Sequence, residues 1–418
     1  MVEGRGEVMS ASVDEMLSRV RRTPDDAEAY CALGRAFEAE SRFAAAFQSY
    51  AAAMEKDANH APAAFHMGMM LFMAGEYEDA AAMLGHSLEL DPDNAVGWNN
   101  LGVALEFMGQ PQSALTAFTE AYAFDATMDE PPIHMARLRF ALGDIQGALD
   151  VLDEIKHLES SRVDVCVLRV STLSALRRFE EAATLADLMV GRFPGEARAL
   201  SVAGQLRLLM GDVGRASELF DDALAVDEGA YDALIGVGSI ALDKGDVEKA
   251  RLYFERATRA DDARFEPYLY LCTIAFDKSD FRALARWSAE GLERAPIHSG
   301  LLFFSSIVMR NAGNNEGAEK SLKLIIETNP AYQPARFGLA KIYLDFYGDD
   351  QLARPHLEES IRIDENSNIG QQSIELLNQI AQGLIHKPLL PTLPVRFRPS
   401  VHRRLPLPVN RPGFAGGS

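Results

Sequence analysis

Residues 95–128 read AVGWNNLGVALEFMGQPQSALTAFTEAYAFDATM. Leu101, Leu105, Phe118 and Ala121 recur there at helical spacing, around two very small residues, Gly102 and Ala114, that stand 12 apart. Two antiparallel helices need such small residues where their backbones approach closely. Gly109 lies between the two apolar runs, and a glycine tolerates the left-handed backbone that ends a helix. The stretch predicts a helix hairpin.

The hairpin recurs along the chain. Pro24, Pro92, Pro194, Pro296 and Pro330 are spaced by multiples of 34, and cutting from Ala27 divides the chain without a gap. The units are 27–60, 61–94, 95–128, 129–162, 163–196, 197–230, 231–264, 265–298 and 299–332. A tenth, 333–367, has one extra residue near Tyr347-Gly348. The eighth place holds Gly34, Gly68, Gly102, Ala136, Val170, Gly204, Gly238, Cys272, Ser306 and Ala340. The twentieth holds Ala46, Ala80, Ala114, Ala148, Ala182, Ala216, Ala250, Leu284 and Ala318. Between the helices stand Gly75-Glu76, Gly143-Asp144, Gly211-Asp212, Gly245-Asp246 and Gly313-Asn314, where Gly ends one helix and Asp or Asn caps the next.

With Trp98, Leu101, Gly102, Gly109, Ala114, Phe118 and Ala121 in place, the third unit resembles a tetratricopeptide repeat, and the resemblance covers Ala27 to about Asn366. It implies an all-α fold: a right-handed α-solenoid of antiparallel helix pairs, with a concave wall lined by first helices. Departures are local. Val170 and Arg177 depart in the fifth unit, and Leu284 in the eighth, where Ser288 and Gly291 replace the larger residues of the neighbouring unit and predict a compensated repacking. Residues 1–26 read as an N-terminal segment holding a partial repeat helix (13–22). Residues 368–386 read as a capping helix with Ile369, Leu376, Leu377, Ile380 and Leu384 largely on one face.

Composition excludes several classes. The chain of 418 residues carries 41 Lys+Arg against 61 Asp+Glu, a formal charge of -20, which is unsuited to coating nucleic acid. No stretch approaches 18 uncharged apolar residues, so no transmembrane segment is expected, and residues 1–15 lack the pattern of a secretory signal. Cys31, Cys166 and Cys272 lie more than 100 residues apart, and no two of the nine histidines form a metal-binding pair. The repeats leave no room for a catalytic domain. The expectation is a cytoplasmic non-enzyme with no catalytic residues, cofactor or metal.

The family resemblance implies that peptide segments or partner domains bind in the concave groove. Its lining places give Phe65, His66, Met69, Phe72, Met73, Asn99, Asn100, Val103, Phe107, His134 and Arg137 as candidate peptide-binding residues. A second apolar stretch runs through Tyr270, Phe276, Phe303, Phe304 and Ile307. The basic pattern that clamps acidic chaperone tails is missing, with Phe65, Met69, Glu130 and His134 in its place.

Residues 387–418 are chemically opposite to the rest. Six basic residues, no acid and seven prolines make this segment +6, which leaves -26 for the first 386 residues. Leu393-Pro394-Val395 with Arg398-Pro399 is echoed by Leu407-Pro408-Val409 with Arg411-Pro412. A tail without secondary structure is expected, carrying a ligand motif read twice. It would serve either an external partner or, by charge attraction, its own array as an autoinhibitory element. Overall the expected function is a protein interaction scaffold or adaptor whose protein partners the residues do not name. The alternative is a regulatory or accessory subunit of an enzyme or of a secretion or assembly complex with one fixed partner.

Overall fold

Several helix starts in this chain coincide with side chains that cap them. In a computed structural model, which describes residues 12–384, Asp144, Asp212, Asp246 and Asn314 each accept a hydrogen bond from a backbone N–H three residues on, at 2.9–3.1 Å. Glu76 occupies the equivalent place but makes no such bond. Asn94 caps the helix Ala95–Phe107 through the N–H of Gly97 at 2.9 Å. The described residues form twenty-two α-helices and no strand. From Ala27 onward they alternate as short hairpins, such as Ala95–Phe107 with Pro111–Phe124 and Ala197–Leu209 with Val213–Val226. This is an α-solenoid of antiparallel helix pairs. Contacts divide it into two compact units, 12–185 and 186–384, and the division falls inside the helix Phe179–Arg192.

The turn inside each hairpin has one left-handed residue. Seven of these are glycine (Gly75, Gly109, Gly143, Gly211, Gly245, Gly313 and Gly348), while Ser41, Arg177 and Ser279 take φ of 55–60° at the corresponding turns. A side chain in this conformation costs about 1–2 kcal/mol relative to the right-handed one. Arg177→Gly is therefore expected to stabilise the chain by about 1 kcal/mol, read as a rise in the denaturant midpoint with an unchanged slope. The extra residue of the last hairpin is absorbed by a π-helical turn, Tyr343–Tyr347, after which Gly348 turns left-handed. The N–H of Asp349 reaches back to the Tyr343 carbonyl at 2.9 Å, one residue further than the matching bond from Gln110 to Leu105.

In four hairpins a ring on the second helix locks the hairpin to the next. Tyr50, Phe118, Phe220 and Phe254 are fully buried. Each faces a glycine sixteen residues earlier (Gly34, Gly102, Gly204 and Gly238), where an added Cβ would lie only 2.5–2.7 Å from the ring. The other ring face is covered by the sixteenth residue onward. His66 stacks on Tyr50 at 4.9 Å, His134 on Phe118 at 4.5 Å and Tyr270 on Phe254 at 4.4 Å, all nearly parallel. Against Phe220 that residue is Gly236. The small column at the eighth place is thus the seat of a ring as well as a point of helix approach.

The alanine column, Ala46 to Ala318, is fully buried. Leu284, its one large member, is buried too, and so is Ser288; at Gly291 an added Cβ would meet Leu301 and Tyr268 at 2.9–3.0 Å, so that glycine makes room for those two side chains. At the start of the first unit, the helix Val13–Arg22 lays Val13, Met16, Leu17 and Val20 on the core around Cys31 and Phe37. At the end of the second unit, the helix Asn368–Ala381 buries Ile369 and Ile380 and packs Leu376 and Leu377 on the core around Leu357. That helix stops earlier than the sequence pattern suggests. Gly383 turns left-handed, and Leu384 is exposed instead of joining the apolar face. The tail motif, 393–412, lies outside the described residues.

Candidate functional site

The candidate residues of unit 12–185 lie on first helices, and the small residues beside them explain their partial exposure. Along Ala61–Met73, the small Ala63, Ala64 and Gly68 turn inward, which leaves Phe65, His66, Met69 and Phe72 half-buried and Met73 62% exposed. Phe72 meets Phe107 of the next first helix edge-on at 5.4 Å, and Tyr77 stacks on Phe107 at 4.8 Å. These rings and Met73 form an apolar patch across two neighbouring hairpins. Tyr77, absent from the sequence-based set, completes it; the only signal for it was an aromatic residue opening the helix just after Gly75-Glu76.

Polar groups flank the patch. Glu106 accepts from Arg137 Nη2 at 2.7 Å, and Arg137 Nη2 also lies 2.7 Å from His134 Nδ1. Arg137 Nε and Asn99 Oδ1 are buried without a hydrogen-bond partner, while Asn100 and Val103 are half-buried on the same helix as Asn99. An earlier hairpin holds a similar acid–histidine pair. His66 Nδ1 lies 3.2 Å from Glu38, which also accepts from the Tyr50 hydroxyl. Burial holds the His66 pKa below the ordinary histidine value, against the opposing pull of Glu38.

The second candidate stretch is corrected by the structure. Tyr270, Phe276, Phe303 and Phe304 are buried in the cores of unit 186–384, and Ile307 packs partly against the same cores. They lie inward because neighbouring residues are small: Gly238 leaves space for the Phe254 ring that Tyr270 covers. Phe276 and Phe304 meet each other at 5.9 Å. This stretch is core, not open wall.

The fold also gathers three ligand-type groups that lie apart in sequence, Glu28, Cys31 and His60, with donor atoms within 4.8 Å of one another. His60 Nδ1 accepts the N–H of Ala63, so Nε2 carries the proton and donates to Glu28 at 3.2 Å. Burial pushes the Cys31 thiol up to about 11. The histidine therefore serves as a helix cap, and a cation here would have to displace both protons.

A tetratricopeptide repeat family model matches residues 37–101, which contain much of the wall, and a second matches residues 202–264. Those two stretches are tetratricopeptide repeats. Such repeat proteins are in general non-catalytic scaffolds for protein interaction. Among solved structures, the chain is similar to YrrB, described as a TPR protein with an unusual peptide-binding site, at 18% identity over 53% of this chain and 97% of that one, with a TM-score of 0.34. It is also similar to yeast Tom70 (15% identity, 86% and 96% covered, TM-score 0.42). Pseudomonas aeruginosa pilF is a third (20% identity, 44% and 85% covered, TM-score 0.40). No curated protein matches the sequence. No described helix of this repeat protein is long and apolar enough to cross a membrane.

Proposed function

We propose that this protein is a non-catalytic adaptor of ten repeat units, with the boundaries given above, that holds an extended peptide segment of a protein partner. The segment lies along the first helices of unit 12–185. The patch of Phe72, Met73, Tyr77 and Phe107 carries this reading. An adaptable methionine beside rigid rings suits apolar anchor residues of varied shape. The doubled motif of residues 393–412 acts as a second binding element for an outside partner, and the protein works in the cytoplasm.

Peptides selected from a random twelve-residue display library on the full chain provide the test. Their affinities are then measured for the double variant Phe72→Ser, Phe107→Ser. A loss of about 10- to 100-fold is expected, the size of a hot-spot deletion, with the circular dichroism spectrum unchanged. Peptides that bind both proteins equally would place the site elsewhere.

A further inference from the structure

An acid at the second place of a repeat and a base at its thirty-fourth form a joint that recurs along the array. Arg162 pairs with Glu130 at 2.8 Å, and Arg264 with Asp232 at 3.5 Å. The first repeat uses Glu28 and His60 for the same joint, at 3.2 Å. What stands beside the joint is different there. At the fifth place the other two repeats carry Ile133 and Ile235, whereas the first carries Cys31. An offset of three residues sets Glu28 and Cys31 on one face of the helix Ala27–Ala39.

The donor atoms of Glu28, Cys31 and His60 lie within 4.8 Å of one another. Ligands of a tetrahedral zinc ion, bound at about 2.0–2.3 Å, stand about 3.3–3.8 Å apart. Side-chain shifts of about 1 Å would therefore bring all three into range. The two oxygens of Glu28 are already divided in use: Oε1 accepts from Arg35 at 2.7 Å, and Oε2 faces His60 Nε2. Arg35 thus orients the carboxylate as an outer-shell partner orients a ligand, and Oε2 is left for an ion. Cys31 is fully buried and the His60 side chain nearly so, while Glu28 is half-exposed and opens the site to solvent.

We propose that Glu28, Cys31 and His60 bind a zinc ion that staples the first hairpin to the second. Thiolate sulfur, imidazole nitrogen and carboxylate oxygen are all zinc donors, whereas magnesium and calcium take oxygen ligands. On binding, the Cys31 thiol releases its proton to solvent and a sulfur–zinc bond replaces the S–H bond. The His60 proton leaves Nε2, whose lone pair then binds zinc, and Nδ1 takes up a proton. Nδ1 can then no longer accept the N–H of Ala63, so one helix cap is exchanged for a coordination bond. The two charges of the ion are balanced by the Glu28 carboxylate and the Cys31 thiolate, and water fills the fourth position. None of the three residues belongs to the patch of Phe72, Met73, Tyr77 and Phe107, so failure of the peptide-binding reading would not affect the site.

Titration of the full chain, stripped of metal with a chelator, with Zn2+ and then with Co2+ tests the proposal. One equivalent should bind, and Co2+ should give the near-ultraviolet band of a thiolate–metal bond. Cys31→Ala should abolish that band and lower Zn2+ affinity about 100-fold or more, beyond the 10- to 100-fold typical of losing an outer-shell partner. His60→Asn should weaken binding to a similar extent while the helix keeps a cap, because Asn94 caps the next first helix from the matching place. Cys272→Ala, which removes another buried thiol, should leave binding unchanged. Circular dichroism reports the fold of each variant, and His60→Asn carries the test alone if Cys31→Ala does not fold. Absence of saturable Zn2+ uptake, a thiolate band that survives Cys31→Ala, or parental affinity in His60→Asn would overturn the proposal.

Discussion

Phe220→Ala is expected to lower the stability of unit 186–384 by about 3–5 kcal/mol, the range for removing a large buried ring. Phe220 is fully buried between Gly204 of its own hairpin and Gly236 of the next. Neither glycine has a side chain to relax into the space, so the cavity would stay open on both faces. The loss would also be local. In a stacked array each hairpin is held mainly by its neighbours, and removing this ring weakens the contact between the hairpins of residues 197–226 and 231–260. Hydrogen exchange should therefore speed up first in those four helices, with the helix Asp350–Ile363 following later. Uniform acceleration across the whole unit would show that the ring has no special role at that junction.

The second large effect comes from adding a single methyl group. Gly236→Ala would place a Cβ 2.4 Å from two carbons of the Phe220 ring, far inside van der Waals contact. The ring cannot retreat, because on its other side Gly204 already leaves only 2.7 Å to the position a Cβ would take. Overpacking of this kind costs about 1–3 kcal/mol. Phe220→Leu in the same chain should recover part of the loss, giving a coupling of about 0.5–3 kcal/mol in a double-mutant cycle. Nature supplies the precedent elsewhere in this sequence, where Leu152 takes the ring's place and Ala136 and Leu168 stand where Phe220 has glycines. Both denaturation midpoints and exchange rates measure the cycle; strict additivity would contradict the sandwich.

Sequence places named Phe72, Phe107, His134 and Arg137 one by one; that Phe72 meets Phe107 and that His134 lies beside Arg137 is seen only in the structure. The same rule failed at Tyr270, Phe276, Phe303 and Phe304, which are core. Position in a repeat sets the direction in which a side chain leaves its helix. Whether it then meets solvent depends on the volumes of residues in adjacent hairpins. His66 and His134 show this dependence as well: each occupies a wall place, yet each spends one ring face on an aromatic residue of the preceding hairpin.

The sequence by itself determined the helical hairpin, the small columns and most of the caps at the Gly-Asp and Gly-Asn turns, because these follow from local backbone preferences repeated at a fixed period. Gly109 and Asp144 do their work within a few residues of themselves, so a linear reading suffices for them. Tertiary structure alone decided which rings are seated between glycines, which polar atoms such as Asn99 Oδ1 go unpaired, and where Glu28, Cys31 and His60 meet. It also decided that one inserted residue becomes a π-helical turn that leaves Phe346 and Tyr347 in solvent. Each of those outcomes depends on volumes and hydrogen bonds contributed by segments tens of residues apart, and a repeat period carries no information about how they fit.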